Sequence, residues 1–187
     1  MSAVDLHSLR ERPYQLLLEI ERRARAAQAG QIPVEGSGAA WVGVAFRVAT
    51  ETFLVARDEL REVMSVPAAL TRVPGAHYWI RGLINLRGQV LPIIDLRAFL
   101  GGAVTQIGRN ARILVPNNRD VPAGLLVDEV MGFRRFIDQE FSAQPPATIL
   151  NCDRYLAGAF RRGGEVAPVL SLSALLESNE FLMGAAQ

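Results

Sequence analysis

The feature that most constrains this chain of 187 residues is an internal repeat. The segment 82–100, GLINLRGQVLPIIDLRAFL, is echoed at 158–176 by GAFRRGGEVAPVLSLSALL, at a constant offset of 76 positions. Each copy is predicted to form a strand, a tight glycine turn, a second strand and a short helix capped by Asp95 or Ser171. The repeat therefore favours two related β modules fused in one polypeptide.

Short apolar runs predict further strands outside the repeat. Residues 42–48 alternate valine and phenylalanine with glycine, alanine and arginine, the period of two that is typical of a half-buried strand. Further runs predict strands at 52–55, 62–66, 113–115 and 124–127, whereas the stretch 141–154 is predicted to be an irregular surface loop. No helix long enough for repeated crossovers lies between these strands. The predicted fold is therefore all-β with peripheral helices, as small barrels or a sandwich.

The chain divides into three parts by composition. A modestly amphipathic helix is predicted from Pro13, and the glycine, proline and serine residues of 30–40 indicate a flexible linker. We accordingly assign residues 1–40 to the N-terminal helix and linker, 41–176 to the folded domain with two barrel subdomains, and 177–187 to a C-terminal tail.

Charge and cysteine content exclude several classes of function. Twenty basic residues against nineteen acidic ones leave a net charge of +1, too balanced for the long-range field of a protein that binds nucleic acid or anionic lipid. The single Cys152 cannot form an internal disulfide, so the sequence indicates a cytoplasmic protein. Neither a signal peptide nor an apolar run of about 20 residues is present, so no membrane insertion is expected.

Catalytic and ligand-binding patterns are missing from the sequence. His7 and His77 are the only imidazoles, and no spacing of cysteine, histidine or carboxylate residues is typical of a metal site. The glycine pairs lack the Lys-Ser/Thr that follows a phosphate loop. We therefore predict no catalytic, cofactor or metal residues, and a protein that is not an enzyme.

Two other functions fit the sequence less well. A small hydrolase would use Asp95 or Asp128, but Asp95 is better explained as a helix cap because Ser171 replaces it in the repeat. A small β-barrel that binds single-stranded nucleic acid would need more aromatic residues than the 7% present, interleaved with a basic stripe.

Three motifs resemble the CheW family of chemotaxis coupling proteins. They are GLINLRGQVLPIIDLRAFLG at 82–101, LREV at 60–63 and AGLLVDEV at 123–130, in the family's order, and the resemblance covers residues 41–176. It implies a pair of intertwined five-stranded, SH3-like barrels around a hydrophobic core, which agrees with the internal repeat.

The resemblance implies a non-enzymatic adaptor without cofactors. Its implied partners are the cytoplasmic tip of methyl-accepting chemoreceptors and the regulatory domain of a CheA-type histidine kinase, in arrays beneath the inner membrane. Alone, the protein is expected to be a monomer. Glu62 and Arg87 stand where the family has an acid and an arginine associated with receptor binding, and we expect them to pair across a groove. The implied receptor-binding set is Leu60, Glu62, Gly82, Arg87, Val127 and Val130.

The N-terminal part indicates a branch of the family. PYQLLLEIERRARA, the linker and WVGVAFRV together resemble the pilus-associated, PilI-like proteins of twitching-motility systems. Flagellar chemotaxis or another chemosensory pathway is the alternative.

Overall fold

The computed structural model describes residues 40–185, so the predicted N-terminal helix and its linker up to residue 39 lie outside the described residues. Within this range, two sheets and a few short helices form a mostly β structure. No helix there is long and apolar enough to cross a membrane.

The strands follow one another closely along the chain. They are β1 (Ala40–Val48), β2 (Glu51–Ala56), β3 (Leu60–Ser65), β4 (Ile80–Leu86), β5 (Gln89–Asp95), β6 (Arg112–Pro116), β7 (Gly124–Val127), β8 (Glu129–Ile137), β9 (Phe141–Ser142), β10 (Leu156–Arg162) and β11 (Glu165–Leu170). The helices are α1 (Leu96–Phe99), α2 (Leu172–Leu176) and α3 (Asn179–Ala185), and single 3-10 turns span Arg57–Glu59, Asp138–Glu140 and Asp153–Tyr155.

The two sheets are intertwined through exchanged strands. The first sheet has the order β8-β1-β2-β11-β10-β9 and the second β3-β6-β7-β5-β4. Strand β3 leaves the β1–β2 hairpin to pair antiparallel with β6 in the second sheet, and β8 leaves β6–β7 to pair antiparallel with β1 in the first. Each sheet therefore contains strands from both halves of the sequence, since β1 and β2 join β8–β11 while β6 and β7 join β3–β5. The predicted fold class is confirmed, with the two-residue β9 as an additional edge strand.

The repeat predicted from the sequence reappears in the backbone geometry. Gly82 and Gly158 have φ angles of 143° and 147°, and each lies at a register shift in the first strand of its hairpin. A Cβ atom at Gly82 would lie 2.6 Å from the Thr71 carbonyl oxygen, and one at Gly158 would lie 2.6 Å from that of Ser142. Glycine is therefore required at both bulges, for conformation and for space.

The hydrophobic core has three parts. Each sheet encloses a small cluster of its own, and a larger cluster joins the two sheets and covers them with α1, α2 and α3. Buried members of the joining cluster include Phe46, Phe53, Ile94, Leu114, Leu125, Val127 and Phe181. Both halves of the sequence therefore contribute to one continuous core.

Two segments differ from the sequence prediction. The stretch 141–154 is not entirely surface loop, because Leu150 and Cys152 are buried and the Thr148 hydroxyl donates to the Leu150 carbonyl oxygen at 2.9 Å. Within 177–187, assigned to a tail, α3 forms and buries Phe181, whose ring meets Phe99 edge-on at 5.4 Å. An isolated apolar residue in a polar stretch is buried only where distant parts of the chain leave room for it in the core. The local sequence does not show where that is the case.

Candidate functional site

A groove of about 280 Å³ lies where β3 of the second sheet meets β1 and β8 of the first. Both β3 and β8 leave the hairpins that precede them and enter the other sheet beside this groove. Its walls are mainly apolar and its rim is charged. It is lined by Val44, Arg57, Leu60, Arg61, Glu62, Val63, Val130, Gly132 and Phe133.

An ion pair between Glu62 and Arg87 stands at the rim. The guanidinium Nη2 of Arg87 donates to Oε2 of Glu62 at 2.9 Å. Glu62 lies in β3 and Arg87 at the tip of the β4–β5 hairpin, so the pair joins elements from the two edges of the second sheet. The arginine side chain is 77% exposed and that of the glutamate 22%. An approaching partner can therefore reach the arginine directly.

The hairpin turn explains why Arg87 is displayed. Arg87 and Gly88 have φ angles of 53° and 87°, the left-handed pair that a two-residue hairpin turn requires. The amide of Gly88 donates to Oδ1 of Asn85 at 2.8 Å, which supports the turn. The arginine is thus held at the tip by its backbone and is not covered by neighbouring side chains.

The structure brings together some of the residues expected at the site. Leu60, Glu62 and Val130 line the groove, and Arg87 is paired with Glu62. Val127 is fully buried and belongs to the core cluster against which Val130 packs, so it can act only from behind the groove wall. Gly82 does not line the groove, and its place at the β4 bulge gives it a structural role.

Phe133 is the main groove residue that sequence reasoning missed. Its side chain is 65% exposed and it pairs with Val44 across β1 and β8. Phe136 lies three positions later, faces the opposite side of the strand and is buried. The aromatic residues of β8 were a usable signal, but the pattern does not tell which side of the strand is covered.

The two carboxylates that a hydrolase would use, Asp95 and Asp128, have structural partners. Asp95 is buried and accepts from the amides of Ala98 and Thr105, the Thr105 hydroxyl and Arg81 Nη1, at 2.8–3.2 Å. Asp128 Oδ2 accepts from the amide of Ala49 at 2.7 Å. Both carboxylates therefore hold backbone amides in place. Among residues 40–185, no cluster of three side chains that could bind a metal ion is present.

Outside the groove, the Cys152 thiol and the Glu140 carboxyl group have perturbed pKa values. Burial raises the pKa of the Cys152 thiol, against the opposing effect of its contact with Thr148, so the thiol is protonated at neutral pH. Hydrogen bonds from Arg162 and from the Ile137 amide lower the pKa of Glu140 to about 2. The Arg162–Glu140 ion pair links the end of β8 to β10, because Arg162 also donates to the Arg135 carbonyl oxygen at 2.7 Å.

The chain is similar to known proteins over most of its length. The profile of the CheW-like domain matches residues 42–180. Protein PilI of Pseudomonas aeruginosa is 37% identical over 150 residues, which covers 80% of this chain and 84% of that protein. Chemotaxis protein CheW of Bacillus subtilis is 31% identical over 107 residues, 57% of this chain and 69% of that protein.

A solved structure shares the fold. The crystal structure of the scaffolding protein TtCheW from Thermoanaerobacter tengcongensis superposes with a TM-score of 0.65 at 26% identity, and the match covers 76% of this chain and 96% of that one. The shared region is long enough to contain both intertwined sheets.

Proposed function

This chain belongs to the family of CheW-like domains, the scaffold proteins of chemosensory systems, and we propose that it couples methyl-accepting chemoreceptors to a CheA-type histidine kinase. We assign this activity to residues 41–176. The observation that carries the proposal is the groove between the exchanged strands β3 and β8, with apolar walls and the Glu62–Arg87 pair at its rim.

The groove is suited to a helical partner. A helix binds a groove through a few apolar side chains, while polar groups at the rim set its orientation. Leu60 and Val130 supply apolar wall, and Glu62 and Arg87 supply the polar rim. We therefore propose that the helical tip of a receptor binds here, with Val127 and Gly82 acting as supporting residues.

The kinase needs a separate surface if both partners are to bind together. The two repeated hairpins each expose a valine at equivalent positions, with Val90 58% exposed and Val166 37% exposed. Both lie outside the groove. We propose that the regulatory domain of the kinase docks on such a barrel face, so that the receptor and the kinase do not compete.

The similarity to PilI supports a pilus-linked pathway. That relative matches a larger share of this chain than the CheW of Bacillus subtilis, at higher identity. We propose that the protein acts in the cytoplasm, at membrane-associated receptor arrays that control twitching by type IV pili. The alternative is flagellar chemotaxis or another chemosensory pathway.

Co-purification tests the proposal. The full chain is tagged at its own locus, captured after mild crosslinking, and its partners are identified by mass spectrometry, with an untagged strain as control. A CheA-type kinase and a chemoreceptor are expected. Recovery of neither, with a nucleic acid or a metabolic enzyme in their place, would contradict the proposal. Deletion of the gene then separates the pathways, since we expect loss of twitching with swimming retained.

A further inference from the structure

The carboxylate of Glu59 links the chain that enters β3 to the amino-terminal end of α2. Its Oε1 atom accepts hydrogen bonds from the backbone amide and the hydroxyl group of Ser173, at 3.0 and 2.9 Å. The hydroxyl group of Ser171 also donates to this oxygen, at 3.4 Å. Glu59 ends the 3-10 turn before β3, whereas the two serines lie 112 and 114 positions later in the chain. One side chain therefore holds two distant parts of the fold together.

This contact marks a difference between the two copies of the repeat. In the first copy, Asp95 caps α1 and its carboxylate also accepts from the amide and hydroxyl groups of Thr105. In the second copy the cap is Ser171, which carries no charge. The first amides of a helix need acceptors from outside the helix, and Glu59 supplies one for Ser173. The acidic group at α2 therefore comes from the chain before β3 and not from the helix cap.

Glu59 lies within the stretch of chain that forms one wall of the groove. Arg57 and Leu60, on either side of it, line the groove together with residues 61–63. The carboxylate of Glu59 is instead bound to α2. Strand β3 has a register shift between Leu60 and Glu62. Because such a bulge interrupts the ladder of main-chain hydrogen bonds, pairing with β6 alone fixes this end of the strand less firmly.

The turn before β3 is held on its other side by Asn117. The backbone amide of Asn117 donates to the Glu59 carbonyl oxygen at 2.8 Å, and its Nδ2 atom donates to the Asp58 carbonyl oxygen at 3.2 Å. Asn117 directly follows β6 of the second sheet, whereas α2 follows β11 of the first sheet. The orientation of the groove wall therefore depends on contacts with elements from both sheets.

We infer that Glu59 is a positioning residue, which sets the orientation of the groove wall at the start of β3 through its contact with α2. The inference rests on the proposed receptor-binding function and adds a residue whose side chain lies outside the groove. It implies that a substitution on α2 changes receptor binding without touching the receptor. Ser173 is exposed, so water partly offsets its hydrogen bonds to Glu59 and the effect is expected to be moderate.

The informative variant is Ser173→Asp, which places a second carboxylate beside that of Glu59. Aspartate is favoured in the first turn of a helix, so α2 itself should be retained. Repulsion between the two carboxylates should displace the turn before β3. We expect the full chain to bind the soluble cytoplasmic signalling domain of a chemoreceptor from the same organism about five-fold more weakly, measured by calorimetry. The loss should shrink at high salt, because exposed charges are screened.

Two further variants show whether Glu59 transmits the effect. Glu59→Gln combined with Ser173→Asp removes the repulsion and supplies an amide that donates to the new carboxylate, so binding should return to within about two-fold of wild type. Ser178→Asp is the matched control, since aspartate caps a helix as serine does. Ser178 caps α3 and bonds to Tyr155 and Leu175, so the same added charge should leave binding unchanged.

Nuclear magnetic resonance spectra of the free protein test the positioning without a receptor. The backbone amide signals of residues 60–63 should shift in Ser173→Asp, return in the double variant and stay in place in Ser178→Asp. Circular dichroism checks that each variant is folded.

Each other result overturns a defined claim. Wild-type binding by Ser173→Asp, with unshifted signals of residues 60–63, would overturn the inference while leaving the adaptor function intact. A loss of binding that the double variant does not reverse, or that Ser178→Asp shares, would show that Glu59 is not the connection. Absence of binding by the wild-type chain would overturn the proposed function itself, whereas the spectra would still decide whether Glu59 positions β3.

Discussion

Asp95 and Ser171 are 76 positions apart and cap their helices in the same way. Each accepts from the amide of the residue three positions later at 3.2 Å, and the amide of each donates to the carbonyl oxygen of an aromatic residue, Trp79 at 2.7 Å or Tyr155 at 2.8 Å. These aromatic residues are also 76 positions apart. The repeat is therefore preserved at the level of single hydrogen bonds, while only the aspartate carries a charge.

That difference predicts unequal costs of substitution. Asp95→Ala removes the helix cap and leaves Arg81 without its buried partner, so we expect a loss of about 3 kcal/mol in the free energy of unfolding. Ser171→Ala removes mainly a cap and should cost about 1 kcal/mol. Urea denaturation of both variants checks the prediction, and equal losses would contradict it.

The two bulge glycines are expected to be structural. Gly82→Ala and Gly158→Ala each force a side chain against a backbone carbonyl at positive φ, so each should lose about 2 kcal/mol or more. Gly108→Ala is the control, because a Cβ there meets no atom within 4 Å and φ is not positive. Thermal unfolding followed by circular dichroism gives the comparison. A neutral Gly82→Ala variant with reduced receptor binding would instead support direct contact.

Arg87→Glu is expected to weaken receptor binding with little change in stability. Its ion pair with Glu62 is exposed and contributes at most about 1 kcal/mol, whereas the reversed charge repels Glu62 at the rim of the groove. The measurement is capture of a chemoreceptor signalling domain by the full chain. Arg161→Glu, an exposed arginine of the other hairpin, should bind normally. Normal capture by Arg87→Glu would show that the site lies elsewhere.

Val127 lies in the core and Val130 lies in the groove wall, so substitutions at the two positions should have different effects. Val127→Ala empties a fully buried position and should cost about 2 kcal/mol of stability. Val130→Ala alters a partly buried groove wall, so its main effect should be on binding. Denaturation and receptor binding are measured for both variants. A Val130→Ala variant that loses stability but binds normally, together with a Val127→Ala variant that is stable but binds weakly, would contradict the groove as described.

Low pH should weaken the contact between β8 and β10 that the Glu140–Arg162 ion pair makes. Hydrogen bonds from Arg162 lower the pKa of Glu140 to about 2, below its ordinary value of 4.5. A lowered pKa in the folded state stabilises the fold above pH 4.5, and this contribution is lost as pH falls from 4.5 towards 2. The stability advantage of wild type over Arg162→Gln should therefore shrink across this range. Melting temperatures at pH 7, 4.5 and 2.5 test it, and an advantage that is constant with pH would contradict the pairing.

Much of the fold was predictable from local patterns. The hairpins, their glycine turns and their capped helices depend on residues close in sequence, so the copies at 82–100 and 158–176 identified them correctly. Strands β1, β2, β6 and β7 were similarly visible as short apolar runs. The extent of β8 was not, because its run of glycine, arginine and phenylalanine has no clear period.

The candidate site was predictable only in part. Motif resemblance selected Glu62 and Arg87, whose Oε2 and Nη2 atoms lie 2.9 Å apart in the structure. It also selected Leu60 and Val130, which line the groove. It could not distinguish these from Val127, since a valine in a strand looks the same whether it faces a core or a partner.

The sequence by itself determined a duplicated β protein with capped hairpins, because strand period, turn chemistry and capping are set by neighbouring residues. Only the tertiary structure decided that β3 and β8 each leave the preceding hairpin to pair in the other sheet, that Phe133 is exposed, and that Glu62 of β3 meets Arg87 of the β4–β5 hairpin. Those features depend on which distant segments exclude water from each other, and no local pattern in the chain encodes that.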